Sequence, residues 1–316
     1  MKHIVRNQHI DIMKGFAILL VLLGHRFMTN TVEGAQHPVS IIIYSFHMAF
    51  FFFISSYVNE ITHQLERKGI VKFIYDKVRT LMLPFVVWTL ICFWIDGGNS
   101  LNGFVSSLNF YPVNGYWFLP VLFVFFIYLI TKKIRTFGVI FIILFIILGL
   151  LIKQVFPIWY ASYLITFLLG GYMADVDIEK KLTTNHAYGI SALVLVMCWC
   201  IYPFEASSLG KSGNLFLIFV IALVSCITFF NFFKKIQLPE FLATYFSEIG
   251  KYTLVLYLVP VLILPAKTFV LNGQVTFASE SLIILSIAVL HSLVSYVIGR
   301  IIYEIPYLRL ILFGKK

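Results

Sequence analysis

HIDIMKGFAILLVLLGHRFMT, residues 9–29, is the stretch whose reading decides the fold class. It is continuously apolar over the roughly 20 residues a helix needs to cross a bilayer at about 1.5 Å per residue. It does not alternate between apolar and polar, so it predicts a helix rather than a barrel strand. Runs of the same kind recur at roughly 38–58, 79–96, 116–132, 137–152, 157–174, 186–203, 214–233, 251–270 and 281–302. Only helices and closed barrels satisfy their own backbone groups in lipid. The expected fold is therefore all-α, a polytopic integral membrane bundle of about ten transmembrane helices forming a single domain over 1–316.

Composition agrees. The chain is 60% hydrophobic and 12% charged, with a mean hydropathy of +0.93. A soluble domain of this length could not cover itself with so few charges. The net charge of +10 would suggest a nucleic-acid partner in a soluble protein. In a membrane protein the cytoplasmic loops collect Lys and Arg, so no nucleic acid is expected. With the N-terminus inside, 20 of the Lys and Arg residues fall on inner segments and 4 on outer ones. That asymmetry predicts a multi-pass protein of the plasma membrane with both termini cytoplasmic. The first apolar run is long and lacks a small-residue cleavage site, so no cleaved signal is expected. Cys92, Cys198, Cys200 and Cys226 form no CxxC pair and read as buried, inert thiols.

The opening run also carries ionisable residues where apolar ones belong. A charge near the bilayer centre costs about 3 kcal/mol or more, and such groups usually face a cavity and a function. At 100° per residue Lys14 and His25 share one face of the helix, separated by about 16 Å. Asp11 lies one turn from Lys14 at i,i+3 spacing. The plainer reading is that Asp11 and Lys14 snorkel to the interface and that His25 is a satisfied interior histidine. The stripe as a whole favours function, because His suits proton transfer near neutral pH.

The second run places His47 near mid-membrane, followed by Ser55 and Ser56, which double as small packing residues. Two His without nearby carboxylates make a poor ligand set, so no metal is expected. The loop that follows is basic, with Arg67, Lys68, Lys72, Lys77 and Arg79. The positive-inside bias accounts for most of it, and a docking patch for phosphates is the functional alternative. Trp117 opens the fourth run as an interfacial anchor or a substrate contact. His3, His9, His37, His63 and His186 read as loop or interface residues, and His291 and Glu304 suggest no role.

Taken together, these residues resemble the membrane acyltransferase family 3, which includes bacterial O-acetyltransferases of surface polysaccharides. The family's first helix carries a basic residue, ten intervening residues and a His, here Lys14 to His25 with Asp11 also matching. Phe46, His47, Phe51, Phe52, Ser55 and Tyr57 are similar to its second-helix pattern. Lys77, Arg79, Pro84 and Trp88 resemble its basic entry to the third helix, and Trp117-Phe118, Phe167 to Gly170 and Gly250 to Leu258 its later landmarks. Three positions depart from the pattern. Ser56 stands where Gly is usual, the paired-arginine motif is reduced to Lys77 and Arg79, and Pro260 replaces a His of some members.

The resemblance implies transfer of an acyl group, most often acetyl, from cytosolic acyl-CoA, here acetyl-CoA as co-substrate. The acceptor would be a hydroxyl of a sugar or glycan, lipid-linked or outside the cell. Lys77, Arg79, Ser55 and Trp117 would bind substrates. His25 would be the general base, His47 the oxyanion donor, and Lys14 with Asp11 an ion pair ordering the inner half of a polar shaft. The rival class is a transporter or flippase using the same stripe as a proton relay. Against it, no inverted repeat and no matched pair of broken helices is visible in the sequence.

Overall fold

The structure, a computed structural model, describes residues 7–108, 116–132, 143, 160–205, 210–260, 271 and 276–315. In chain order the helices are α1 (Gln8–Asn30), α2 (Pro38–Ile61), α3 (Gln64–Lys68), α4 (Ile70–Lys77), α5 (Leu83–Ile95), α6 (Leu101–Ser107), α7 (Phe118–Lys132) and α8 (Tyr160–Tyr172), then α9 (Val176–Leu182), α10 (Asn185–Glu205), α11 (Gly210–Lys235), α12 (Glu240–Lys251), α13 (Thr253–Leu258), α14 (Phe277–Glu304) and α15 (Pro306–Phe313). No strand occurs among the described residues; one isolated bridge joins Thr31 to Leu271.

Six described helices are long and apolar enough to span a bilayer: Gln8–Asn30, Pro38–Ile61, Ile70–Ile95, Asn185–Tyr202, Phe216–Lys235 and Phe277–Glu304. The protein is thus an all-helical membrane protein, with fewer clear spans than the ten the apolar runs suggested. The runs at 116–132 and 157–174 appear as the shorter helices α7 and α8. The run at 137–152 lies outside the described residues, Ile143 apart. The run at 251–270 is described only as far as Pro260, and there it is broken at Tyr252 between α12 and α13.

Two compact units make up the chain: Met1–Thr62 with Ile165–Gly299, and His63–Leu164 with Arg300–Lys316. In the first, Asn7 caps α1 by accepting the His9 N–H. His37 caps α2, its Nδ1 accepting the Val39 N–H at 3.2 Å, with Pro38 in the first turn where its missing N–H is no loss. The amphipathic α12 was not foreseen. It lies against α1 where Gly15 meets the Phe246 carbonyl and Gly250 meets the Asp11 carbonyl, contacts that any Cβ would block. Such small-residue crossings let backbones approach closely where lipid supplies no hydrophobic drive between helices. Tyr245 to Ser292 (2.6 Å) and Tyr296 to Glu248 (3.3 Å) tie α12 to α14.

The other side of this unit is aromatic. Phe46 stacks on Phe229 with centroids 4.8 Å apart, and Phe53 and Tyr57 pack edge-on against Phe230. Pairs of this kind contribute about 0.5–1.5 kcal/mol each beyond their buried area. Tyr57 donates to Glu179, which also pairs with Lys234, and this knits the ends of α2, α9 and α11 together.

In the second unit the basic stretch is not a loop. Residues 70–95 form one continuous helix, in which Val78–Met82 is a π-helical turn between α4 and α5. Lys77 and Arg79 therefore sit within a helix, not at its entrance. π-turns are rare and frequently lie at functional sites.

Candidate active site

In the first unit, Gly24 brings α2 close to the C-terminal end of α1. A Cβ there would fall 3.0 Å from Ile43 Cγ2 and 3.4 Å from the Tyr44 ring. The neighbouring His25 consequently meets Tyr44, whose hydroxyl lies 3.0 Å from His25 Nδ1, the rings edge to face. Tyr44 in turn packs edge-on against His47, centroids 5.0 Å apart. The structure thus brings the two predicted histidines to either side of one tyrosine. That tyrosine was missed in the sequence; the available signal was its i,i+3 spacing from His47, which puts both on neighbouring positions of one face.

Access and hydrogen bonding separate the two histidines. His25 is exposed although Gly24, Arg26 and Phe27 around it are buried. His47 is 3% exposed and its Nδ1 donates to the Ile43 carbonyl at 2.7 Å. A neutral His47 then carries no proton on Nε2, which is an acceptor only. With the ring proton on Nδ1, the geometry favours Tyr44 over His47 as oxyanion donor, because an oxyanion needs an N–H or O–H aimed at it. Tyr44 has such a hydroxyl, and it becomes available whenever His25 Nδ1 donates to the phenolic oxygen. The same tautomer leaves His25 Nε2 free to accept a proton.

Lys14 and Asp11 do form the expected ion pair, 3.9 Å apart, with the carboxylate side chain 4% exposed and the ammonium 28%. Asp11 is held inside by the α12 crossing rather than snorkelling. Between Lys14 and His25 the shared face is closed by Ala17, Ile18, Val21 and Leu22, all buried. The polar stripe is two polar ends joined by an apolar middle. Ser55 lies eight residues beyond His47, about 12 Å along α2, and is half-buried beside the fully buried Ser56. The structure does not bring Ser55 to the histidines.

Two further polar contacts were missed. Arg26 is 6% exposed and donates to His291 Nδ1 at 3.1 Å, joining α1 to α14. His37 is 2% exposed between the rings of Phe27 and Phe277, with Nε2 3.5 Å from Glu280. Glu33 is close enough to His37 and Glu280 for the three to be considered as metal ligands. The donor set does not fit one. His37 Nδ1 already accepts the Val39 N–H, so the ring proton is on Nε2 and no lone pair remains for an ion.

The second unit holds the remaining candidates. Lys77 Nζ rests 3.5 Å from the Phe126 ring centroid and donates to Gln64 at 3.3 Å. Arg79 donates to Asp76 at 3.3 Å, and Asp76 also accepts from Lys68 at 2.6 Å. Trp117 is half-buried and stacks on Tyr160 and Tyr163 at 5.4 and 5.7 Å, close to parallel. It also meets Phe118 edge to face.

A family model described as an acyltransferase domain matches residues 7–300, nearly the whole chain. Comparisons with curated proteins and with solved structures returned no match. The match spans both histidines, the ion pair of α1 and the basic π-turn, and it speaks for acyl transfer rather than transport. With its apolar spanning helices, the chain belongs to the acyltransferase 3 family and is a membrane acyltransferase.

Proposed function

We propose that the protein moves an acetyl group from cytosolic acetyl-CoA to a hydroxyl of a sugar or surface glycan, lipid-linked or extracellular. It would work from the plasma membrane with both termini cytoplasmic. The observation that carries this reading is an accessible histidine, His25, whose Nδ1 is held by a tyrosine hydroxyl at 3.0 Å. A sugar hydroxyl is a weak nucleophile, and attack on a thioester needs a positioned base near neutral pH.

His25 Nε2 takes the proton as the hydroxyl oxygen attacks the thioester carbonyl. The Tyr44 hydroxyl donates to the oxyanion that forms. Collapse breaks the carbon–sulfur bond, the ester is released, and the imidazolium returns its proton to the coenzyme A thiolate. His47 accepts rather than donates, and holds the Tyr44 ring in place. Lys77 and Arg79 bind the donor's phosphates, where Arg and Lys suit oxyanions. Trp117, half-buried among Tyr160 and Tyr163, contributes to binding the acceptor. Asp11 and Lys14 order the inner half of α1, with Ser55 on the donor's path. The sidedness is consistent with Asp11 meeting Gly250, two segments that the charge distribution puts on the inner side.

The test is radiolabelled acetyl-CoA supplied to inside-out membrane vesicles, with label followed into the glycan fraction. Label appearing in glycan as an alkali-labile ester is the expected result. Label that remains on coenzyme A in the presence of acceptor overturns the reading.

A further inference from the structure

The C-terminal helix α15 begins six residues beyond the stretch matched by the family model, which ends at residue 300. Nothing in the family assignment therefore explains why it is where it is. It docks on the π-turn. Gly314 ends α15 with φ +61° and lies so close to the Arg79 carbonyl that any Cβ would strike it. Trp88, 2% exposed on α5, donates its indole N–H to the Leu312 carbonyl at 2.8 Å. Phe313 is fully buried against Trp88 and Tyr303.

This docking lays the end of the helix that carries Arg309 against the π-turn that carries Arg79. Lys315 N–H donates to the Arg309 carbonyl, closing the turn whose Gly314 lies against the Arg79 carbonyl. Both guanidinium groups are under-used. Arg79 donates from one terminal nitrogen to Asp76, and Arg309 from one to the Tyr303 carbonyl at a long 3.4 Å. The Nε of each is buried with no hydrogen-bond partner. Asp76, the acidic partner of Arg79, is already shared with Lys68. Two arginines with spare, inward-turned donors present a fork-shaped set of N–H groups, which suits the oxygens of a phosphate or pyrophosphate.

We propose that α15 completes a polyphosphate-binding corner, with Arg309 and Arg79 together gripping the phosphates of the nucleotide donor. The proposal rests on the acyl-CoA reading above and adds a residue and an element to it. Pantetheine, which lacks the nucleotide and its phosphates, makes no use of this corner.

The experiment measures binding of coenzyme A and of pantetheine to the full-length protein in nanodiscs, by calorimetry, for wild type, Arg309→Gln, Arg79→Gln and Gly314→Ala. Coenzyme A should bind about tenfold more weakly to either arginine variant, as expected for losing charge-assisted hydrogen bonds. It should also weaken in Gly314→Ala, which removes no charge but displaces α15 from Arg79. Pantetheine affinity should stay within twofold throughout. Arg309→Gln binding coenzyme A like wild type, while Arg79→Gln weakens, overturns the proposal and leaves the donor reading intact. Wild type that fails to bind coenzyme A overturns both. A measurement on the unaltered protein covers any variant that does not fold. Coenzyme A, and not pantetheine, should protect both Arg79 and Arg309 from phenylglyoxal, and an unprotected Arg309 beside a protected Arg79 overturns the proposal.

Discussion

The C-terminal end of α1 and the π-turn of residues 78–82 are both polar islands in an apolar chain, and they are built on opposite plans. Around His25 the side chains are tied to one another or to the backbone, with the buried His291 Nε2 left over. Tyr44 meets His25, His47 meets a backbone carbonyl and Arg26 meets His291. In the other unit Asp76 is shared by two cations, Lys68 and Arg79, and the buried Nε atoms of Arg79 and Arg309 have no partner. A closed network fixes geometry, which is what a reacting group needs. An open cluster of cations waits for an anion. The first should therefore act on the rate of the chemical step and the second on ground-state binding, a division that steady-state kinetics can read.

The sharpest way to break the comparison is His25→Ala. Loss of a general base costs about 100- to 10,000-fold in rate, and this variant should lose turnover by that much while the protein inserts and elutes as a single species. Removing an exposed imidazole takes no apolar packing from the bundle, so folding should be kept. A variant that retained more than about a tenth of wild-type turnover, short of that loss, would move the base assignment to His47.

Tyr44→Phe tests whether the network positions the base. It keeps the ring against His47 and deletes only the hydroxyl, so turnover should fall by about 10- to 100-fold, the effect of one or two hydrogen bonds to a charged group. The Michaelis constant for the donor should hardly change. His47→Gln should do less harm than Tyr44→Phe, since His47 touches the site through Tyr44. Equal losses in both would restore His47 as a direct participant.

On the other side of the comparison, Lys77→Gln with Arg79→Gln should raise the donor's Michaelis constant about tenfold and lower turnover by less than threefold, as expected for lost uniform binding. A collapse of turnover with donor affinity intact would erase the distinction between the two regions. The smallest effect belongs to Trp117→Leu, which keeps an apolar side chain and removes the flat ring. It should weaken acceptor binding about threefold to tenfold, in the range of a single aromatic contact, and leave donor kinetics unchanged.

How much of this could be read beforehand differs between fold and site. Helical character and membrane residence follow from run length and low charge, which depend on composition within each segment and so are written locally. The count of spans was less secure. An apolar run of about 16–18 residues describes a bilayer crossing and a shorter buried helix equally well, and the described parts of α7 and α8 are 15 and 13 residues long. The basic stretch at 67–79 looked like a loop because it is polar. Only packing against Phe126 and pairing through Asp76 reveal how a helix tolerates it there.

The sequence by itself determined that this chain is helical, that it lives in lipid, and that Asp11, Lys14, His25 and His47 lie where plain apolar residues would have sufficed. Periodicity along one helix is enough for those statements, since 3.6 residues per turn fixes which positions share a face. It could not determine which residues of different helices meet. Tyr44 beside His25, Arg26 beside His291, Gly250 beneath Asp11 and Gly314 against Arg79 are pairings between segments from 19 to 265 residues apart. They are decided by which backbones can approach closely, and that depends on both partners at once. Tertiary structure alone made His25 accessible and His47 buried, and so separated a candidate base from a residue that supports it.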